Sequence, residues 1–101
     1  NPEDMLIAAL SACHMLWFLH LASDAGIIVH AYQDDPLAVG ETDAIGASRF
    51  LRATLRPSIT VPSGTDLKQA DALHREVHKT CFIARSVNFP VSYAARYRIR
   101  A

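Results

Sequence analysis

Cys13 and Cys81 are the residues of this 101-residue chain best suited to covalent chemistry, with His14, His74 and His78 close to them in sequence. Two cysteines can form a structural disulfide, half of a metal site, a redox pair or two inert core thiols. Cys13 lies inside an apolar run, and helical spacing puts Leu6, Ala9, Leu10, Leu16, Trp17 and His20 near its face. By position alone it is a small hydrophobe. Burial raises a thiol pKa above its free value of about 8.5, the wrong direction for a nucleophile, so a reactive Cys13 needs a cation or hydrogen-bond donors nearby. His14 is next in sequence but points about 100° away around a helix, which argues against it as the activating base.

Cys81 follows His74 and His78 at helical spacing, so a zinc half-site has to be weighed. A structural zinc site takes four ligands, drawn as pairs from two places in the chain. Only one such pair exists here, and Cys13 and His14 cannot chelate side by side on a helix. No metal is expected. His74 reads as a partly buried core histidine and His78 as a solvated one.

These residues need elements to position them. Asn1 is a good N-cap, Pro2 suits a first helical turn, Glu3 and Asp4 favour the positive end of the dipole, and Gly26 supplies a stop. A helix over 2–25 follows, almost wholly apolar from Met5 to Ala22. Its length approaches the roughly 20 residues of a bilayer span. Ser11, His14 and His20 interrupt the run, and a helix apolar on all sides is a core or interface helix in a soluble protein. No membrane association is expected. Residues 27–32 read as a strand, 34–36 and 40–46 as a polar connection, and 47–61 as a longer strand with Leu51, Ala53, Leu55, Ile59 and Val61 on one face. Pro57 inside it suggests an edge or a bulge. Thr65 or Asp66 caps a second helix to about residue 79, with Leu67, Ala70, Leu73, His74 and Val77 as its buried stripe. A short helix or turn over 81–87 precedes a last strand over 91–99, on which Arg96, Arg98 and Arg100 make a solvated face.

The order helix, strand, strand, helix, strand describes an α+β domain. The length fits one domain over 1–101, and half of the residues are hydrophobic. A domain this small hides a modest fraction of its surface, so association is expected to help its stability. Ten basic and ten acidic side chains balance to a net charge of zero, which argues against a nucleic-acid binder. No secretory leader is visible, and the cytosol is the expected setting, where stable structural disulfides are uncommon. The chain begins at Asn1, inside a helix start, so an N-terminal portion is expected upstream.

The run from Asn1 to Met15, NPEDMLIAALSACHM, resembles the N-P-E and A-x-C signature of the OsmC/Ohr family. Downstream, Asp71 to Cys81 followed by Phe82-Ile83-Ala84-Arg85-Ser86-Val87 is similar to that family's second helix and second cysteine. The interval between the two motifs and the order of elements also agree, so the resemblance covers the whole chain. It implies an OsmC-like α+β fold, with the long apolar helix and a second helix packed on an antiparallel sheet, in an intertwined homodimer. It further implies a reductase of organic hydroperoxides with sites at the subunit interface, acting in oxidative-stress defence. Cys13 matches the peroxidatic cysteine, Cys81 the resolving one, and Glu3 an acidic residue that orients an activating arginine. The implied reductant is a lipoylated protein or another dithiol, with no metal, haem or flavin cofactor.

Helix geometry adds a constraint. Glu3 and Cys13 are separated by about 15 Å along one helix axis, so Glu3 is expected to act in a partner's site across antiparallel helices. Met15, Trp17 and Phe18 are then expected to line an apolar interfacial pocket. The family's activating arginine belongs to strands that precede the N-P-E motif, so those strands are expected to be missing here. Arg49, Arg52, Arg56 and Arg85 are the local substitutes. Phe82 stands where many relatives carry proline, and His14 where Ohr members carry phenylalanine. Both departures suggest a separate OsmC-like branch. The other readings left open are a non-catalytic dimer that binds an apolar ligand and a metal-binding thiol protein.

Overall fold

The structure, a computed structural model, describes residues 1–101. It opens with helix α1, Pro2–Asp24, whose cap is the expected one: the Asn1 side chain accepts from the Asp4 N–H at 2.7 Å. The chain leaves the helix through Gly26 at φ 76°, a left-handed conformation that a residue with a Cβ resists. Strands β1 (Ala31–Asp34), β2 (Leu37–Thr42), β3 (Ser48–Leu55) and β4 (Pro57–Pro62) follow. Helix α2, Leu67–Thr80, is capped by the Asp66 carboxylate, which accepts from the Lys68 and Gln69 N–H groups. A short 3-10 turn at Ala84–Ser86 leads to β5 (Val91–Tyr93) and β6 (Arg96–Arg100).

The strands make two three-stranded sheets, ordered β1-β4-β6 and β2-β3-β5. β1 with β4 and β2 with β3 run antiparallel, while β4 with β6 and β3 with β5 run parallel. The sheets are therefore mixed rather than antiparallel throughout. Helix α2 is the reason: as a crossover it carries the chain back to the starting edge, so the last strands run alongside β3 and β4 in the same direction. The expected strands over 47–61 and 91–99 each divide, at Arg56 and at Ala94–Ala95. Burial continues with period two through the first break, at Ala53, Leu55, Pro57, Ile59 and Val61, so hydrophobic pattern alone reads one strand there. The break is polar: the Arg56 N–H turns to the Asp34 carboxylate at 2.7 Å, and Pro57 has no N–H to give. Pro57 is thus a buried residue at a bend in the central strand, not an edge residue. β2, whose second half from Gly40 was expected as polar connection, forms by backbone pairing with β3 and is largely exposed.

Helix α1 lies across both sheets with one row buried, Ile7, Leu10, His14, Phe18 and Ala22. Ile7 and Leu10 pack with Ala53 and Leu55, while Phe18 and Ala22 pack with Ile59, Val61 and the α2 residues Ala70 and Val77. The helix is long and apolar enough to cross a membrane, yet here its row is seated on sheet and helix. Leu67, expected in the α2 stripe, is exposed at the helix start. The stripe proper is Ala70, His74 and Val77.

Between the two apolar clusters sits a polar contact. His14 Nε2 and His74 Nδ1 are 2.9 Å apart, and both residues are buried. Their rings are inclined by only 13° with centroids 5.1 Å apart, which with so short a nitrogen contact is an edge-to-edge hydrogen bond between nearly parallel rings. Phe18 stacks on the His74 face at 4.1 Å, and the Tyr93 ring lies against both imidazoles. Burial is the main cause pulling both imidazoles down from 6.5 to about 4, so the pair is neutral at pH 7.

A group whose folded pKa lies below its unfolded value contributes stability that is full above pH 6.5 and lost as pH falls toward 4. The urea midpoint is therefore expected to drop between pH 7 and pH 4.5 by the equivalent of about 2 kcal/mol or more, and His14→Phe to flatten that drop. A wild-type midpoint constant over this range would contradict the assignment.

Candidate active site

Cys13 is contributed by the middle of α1, half-buried and one residue off the buried row. Cys81 ends α2: its N–H closes the last helical turn on Val77 O at 2.8 Å, and its carbonyl accepts from Arg85 N–H at 3.1 Å. α1 and α2 pack against each other, and across that contact two thiols 68 positions apart (81 minus 13) are near enough for Cys13 to influence Cys81. Both cysteines are free.

The Cys81 thiol is pushed up to about 11. Burial is the largest cause, and hydrogen bonding to the Cys13 side chain adds to it. The backbone N–H groups of Ala84 and Ile83 act in the opposite direction and only partly offset the burial. Cys81 is accordingly a thiol at neutral pH, a proton donor held beside Cys13.

Glu3 is exposed in the first turn of α1 and is not brought to Cys13. It lines a cleft of about 320 Å³ with Gly40, Thr42, Phe50 and the Glu41–Arg49 pair, whose ion-pair distance is 2.8 Å. Met15 is half-buried, and Trp17 is 39% exposed, forming with Leu16 and His20 an open depression of about 250 Å³. Phe18 departs from its expected place in a ligand pocket. It is fully buried, stacked on His74 and packed against Ile59 and Val61, because it falls on the same row as Leu10, His14 and Ala22.

The four arginines considered as activating cations are engaged or exposed elsewhere. Arg49 pairs with Glu41, and Arg56 with the Asp35 carboxylate and carbonyl. Arg85 lines a cleft of about 270 Å³ with His78, Phe89 and Pro90, and Arg52 is exposed. No cluster of three or more His, Cys, Asp or Glu side chains has metal-ligand geometry.

Two features escaped the sequence reading. The Ser11 hydroxyl donates to Asp34 at 2.6 Å, tying α1 to β1 at the sheet bend. The His14–His74 bond ties α1 to α2. For the second a signal existed: each histidine falls on the buried row of its helix, and two buried imidazoles are most cheaply satisfied by each other.

At pH 7–8, iodoacetamide is expected to modify Cys13 at least about tenfold faster than Cys81, since Cys81 is buried and protonated. Peptide mass spectrometry over a time course reads the ratio, and equal or reversed rates would contradict this geometry.

A family model described as OsmC-like protein matches residues 1–94. A search of curated proteins finds no match. Among solved structures, an OsmC-like protein of unknown function from Vibrio cholerae superposes with a TM-score of 0.81 at 35% identity, over 93% of this chain and 62% of its own. The chain thus spans less than two thirds of that relative's length. An organic hydroperoxide resistance protein from Elizabethkingia anophelis gives 0.76 at 19% identity, over 97% of this chain and 69% of its own. The corresponding protein of Bacillus subtilis gives 0.69 at 19%, over 97% and 70%. At such identities these last two speak for the fold. On the match across 1–94 and the Vibrio relative, the chain belongs to the OsmC-like family.

Proposed function

We propose that this chain is a thiol-dependent peroxidase that reduces organic hydroperoxides, with Cys13 as attacking and Cys81 as resolving residue. The observation that carries this reading is the meeting of the two free thiols at the α1–α2 junction, Cys13 the more exposed and Cys81 buried. Family membership and the hydroperoxide-resistance names of several structural neighbours support it.

The cycle follows from thiol chemistry. The Cys13 thiolate attacks the distal oxygen of ROOH, the O–O bond breaks, and the alkoxide takes a proton and leaves as ROH. Cys13 is then a sulfenic acid. The Cys81 sulfur attacks the Cys13 sulfur, an S–S bond forms, and the hydroxyl leaves as water with the proton Cys81 carried. A high pKa keeps Cys81 a thiol at rest, so the first attack falls to Cys13. A dithiol, free or on a lipoylated protein, takes the disulfide back to two thiols by exchange. Such a cycle fits a reducing, cytoplasmic setting.

The substrate's apolar portion is assigned to the outer face of α1. Met5 is 72% and Leu16 64% exposed there, and Trp17 and Met15 adjoin them. A contiguous apolar stripe of this kind suits a homodimer in which antiparallel α1 helices pair and Glu3 reaches the partner's site. The same stripe is what a non-catalytic dimer binding an apolar ligand would use.

Turnover of cumene hydroperoxide with dihydrolipoamide separates the two readings. Cys13→Ser is expected to lower turnover by at least about a thousandfold. Cys81→Ser is expected to leave the first reduction intact, while Cys13 over-oxidises under repeated peroxide. Unchanged turnover in Cys13→Ser would exclude the peroxidase and leave ligand binding.

A further inference from the structure

Cys13 and Cys81 sit on different helices, so their meeting depends on how α1 is rotated and translated against α2. Apolar contacts between Phe18, Ala22, Ala70 and Val77 hold the helices together but are individually non-directional. One contact across the junction is directional. The His14 Nε2 to His74 Nδ1 bond, 2.9 Å long and between nearly parallel rings, links the residue next to Cys13 with the residue two helical turns before Cys81. Both imidazoles are buried, and Phe18 on one side with Tyr93 against both rings restrict rotation about their side-chain bonds. Slippage of either helix breaks the bond and leaves two buried ring nitrogens without partners. His74 Nε2 already lacks one, so no second bond at that ring holds the register.

We propose that His14 and His74 are positioning residues for the thiol pair: their hydrogen bond fixes the α1–α2 register that holds the Cys81 sulfur at Cys13 and so sets how readily the disulfide forms. Neither histidine touches substrate. This role rests on the thiol-pair reading above and extends it to the residues that determine the redox poise. It also accounts for the joint occurrence of the two histidines, since either one alone would be a buried polar group without a partner.

The experiment is equilibration of the 101-residue chain with mixtures of reduced and oxidised dithiothreitol at pH 7. Two electrons and two protons pass from the protein thiols to the reference disulfide, and alkylation with mass spectrometry counts the fraction carrying the Cys13–Cys81 bond. His14→Gln keeps a side-chain nitrogen at the Nε2 position and His74→Asn keeps one at the Nδ1 position. His14→Phe and His74→Leu keep apolar volume and remove the bond. A hydrogen bond of ordinary strength corresponds to roughly twofold to tenfold in the equilibrium constant. The bond-deleting variants His14→Phe and His74→Leu are expected to shift the equilibrium toward the thiols by about threefold or more. His14→Gln and His74→Asn are expected to stay within about twofold of wild type. Circular dichroism identifies which variants are folded, and either histidine supplies a complete comparison on its own. A folded bond-deleting variant with wild-type equilibrium overturns the proposal, and so does an equal shift in the bond-keeping variant at the same position. If wild type forms no Cys13–Cys81 disulfide, the thiol-pair reading itself fails. If it forms one that ignores the histidines, only the positioning role fails.

Discussion

The packing of α1 against α2 is the contact on which the candidate site depends. α1 presents a row of Ile7, Leu10, His14, Phe18 and Ala22, and its two halves are seated on different sheets. α2 closes over the second half with Ala70, His74 and Val77. Burying a large apolar side chain such as Leu10 or Phe18 stabilises the fold by roughly 1.5–3 kcal/mol. The stripe on α2 ends at Cys81, so the packing that completes the core also delivers the second thiol to the first.

Desolvation then differentiates groups that are chemically alike. Cys81 lies under the 3-10 turn and keeps its proton, with a pKa of about 11, while Cys13 is half-buried at the helix surface. Two thiols of unequal exposure are what a sequence of attack followed by resolution calls for, since identical ones would compete for the oxidant. The same low-dielectric interior keeps His14 and His74 neutral and makes their mutual hydrogen bond the natural state of both. The bend of the central strand at Arg56–Pro57 is held by a further polar contact. Asp34 accepts from the Arg56 N–H and from Ser11, joining α1, β1 and the bend in one cluster.

Both helices were legible in the sequence because local chemistry marks them. Asn1 and Asp66 cap their helices with the side-chain bonds those residue types favour, and Gly26 stops the first where a left-handed residue is needed. Cys13 and Cys81 stood out through motif and order, and the family match bears out the resemblance. The strands were harder. A period-two pattern has no marker for a change of sheet, so Ala53 to Val61 reads as one strand although its ladder partners change at Arg56. β2 carries little apolar signal and exists through pairing with β3. Phe18 and Met15 look equivalent as apolar residues on an apolar helix, and only the seating of α1 makes one core and leaves the other half-buried. For the His14–His74 bond, helical spacing marks each histidine as buried, but their pairing spans 60 positions and is decided by the packing of α1 on α2.

The central claim is that Cys13 and Cys81 act on each other. Its most direct measurement is the mass of the protein after one equivalent of an organic hydroperoxide, with the linked peptides identified after non-reducing digestion. The account predicts loss of two hydrogens and a single cross-link between the Cys13 and Cys81 peptides. Oxygen addition at Cys13 that persists while Cys81 stays a free thiol would contradict it.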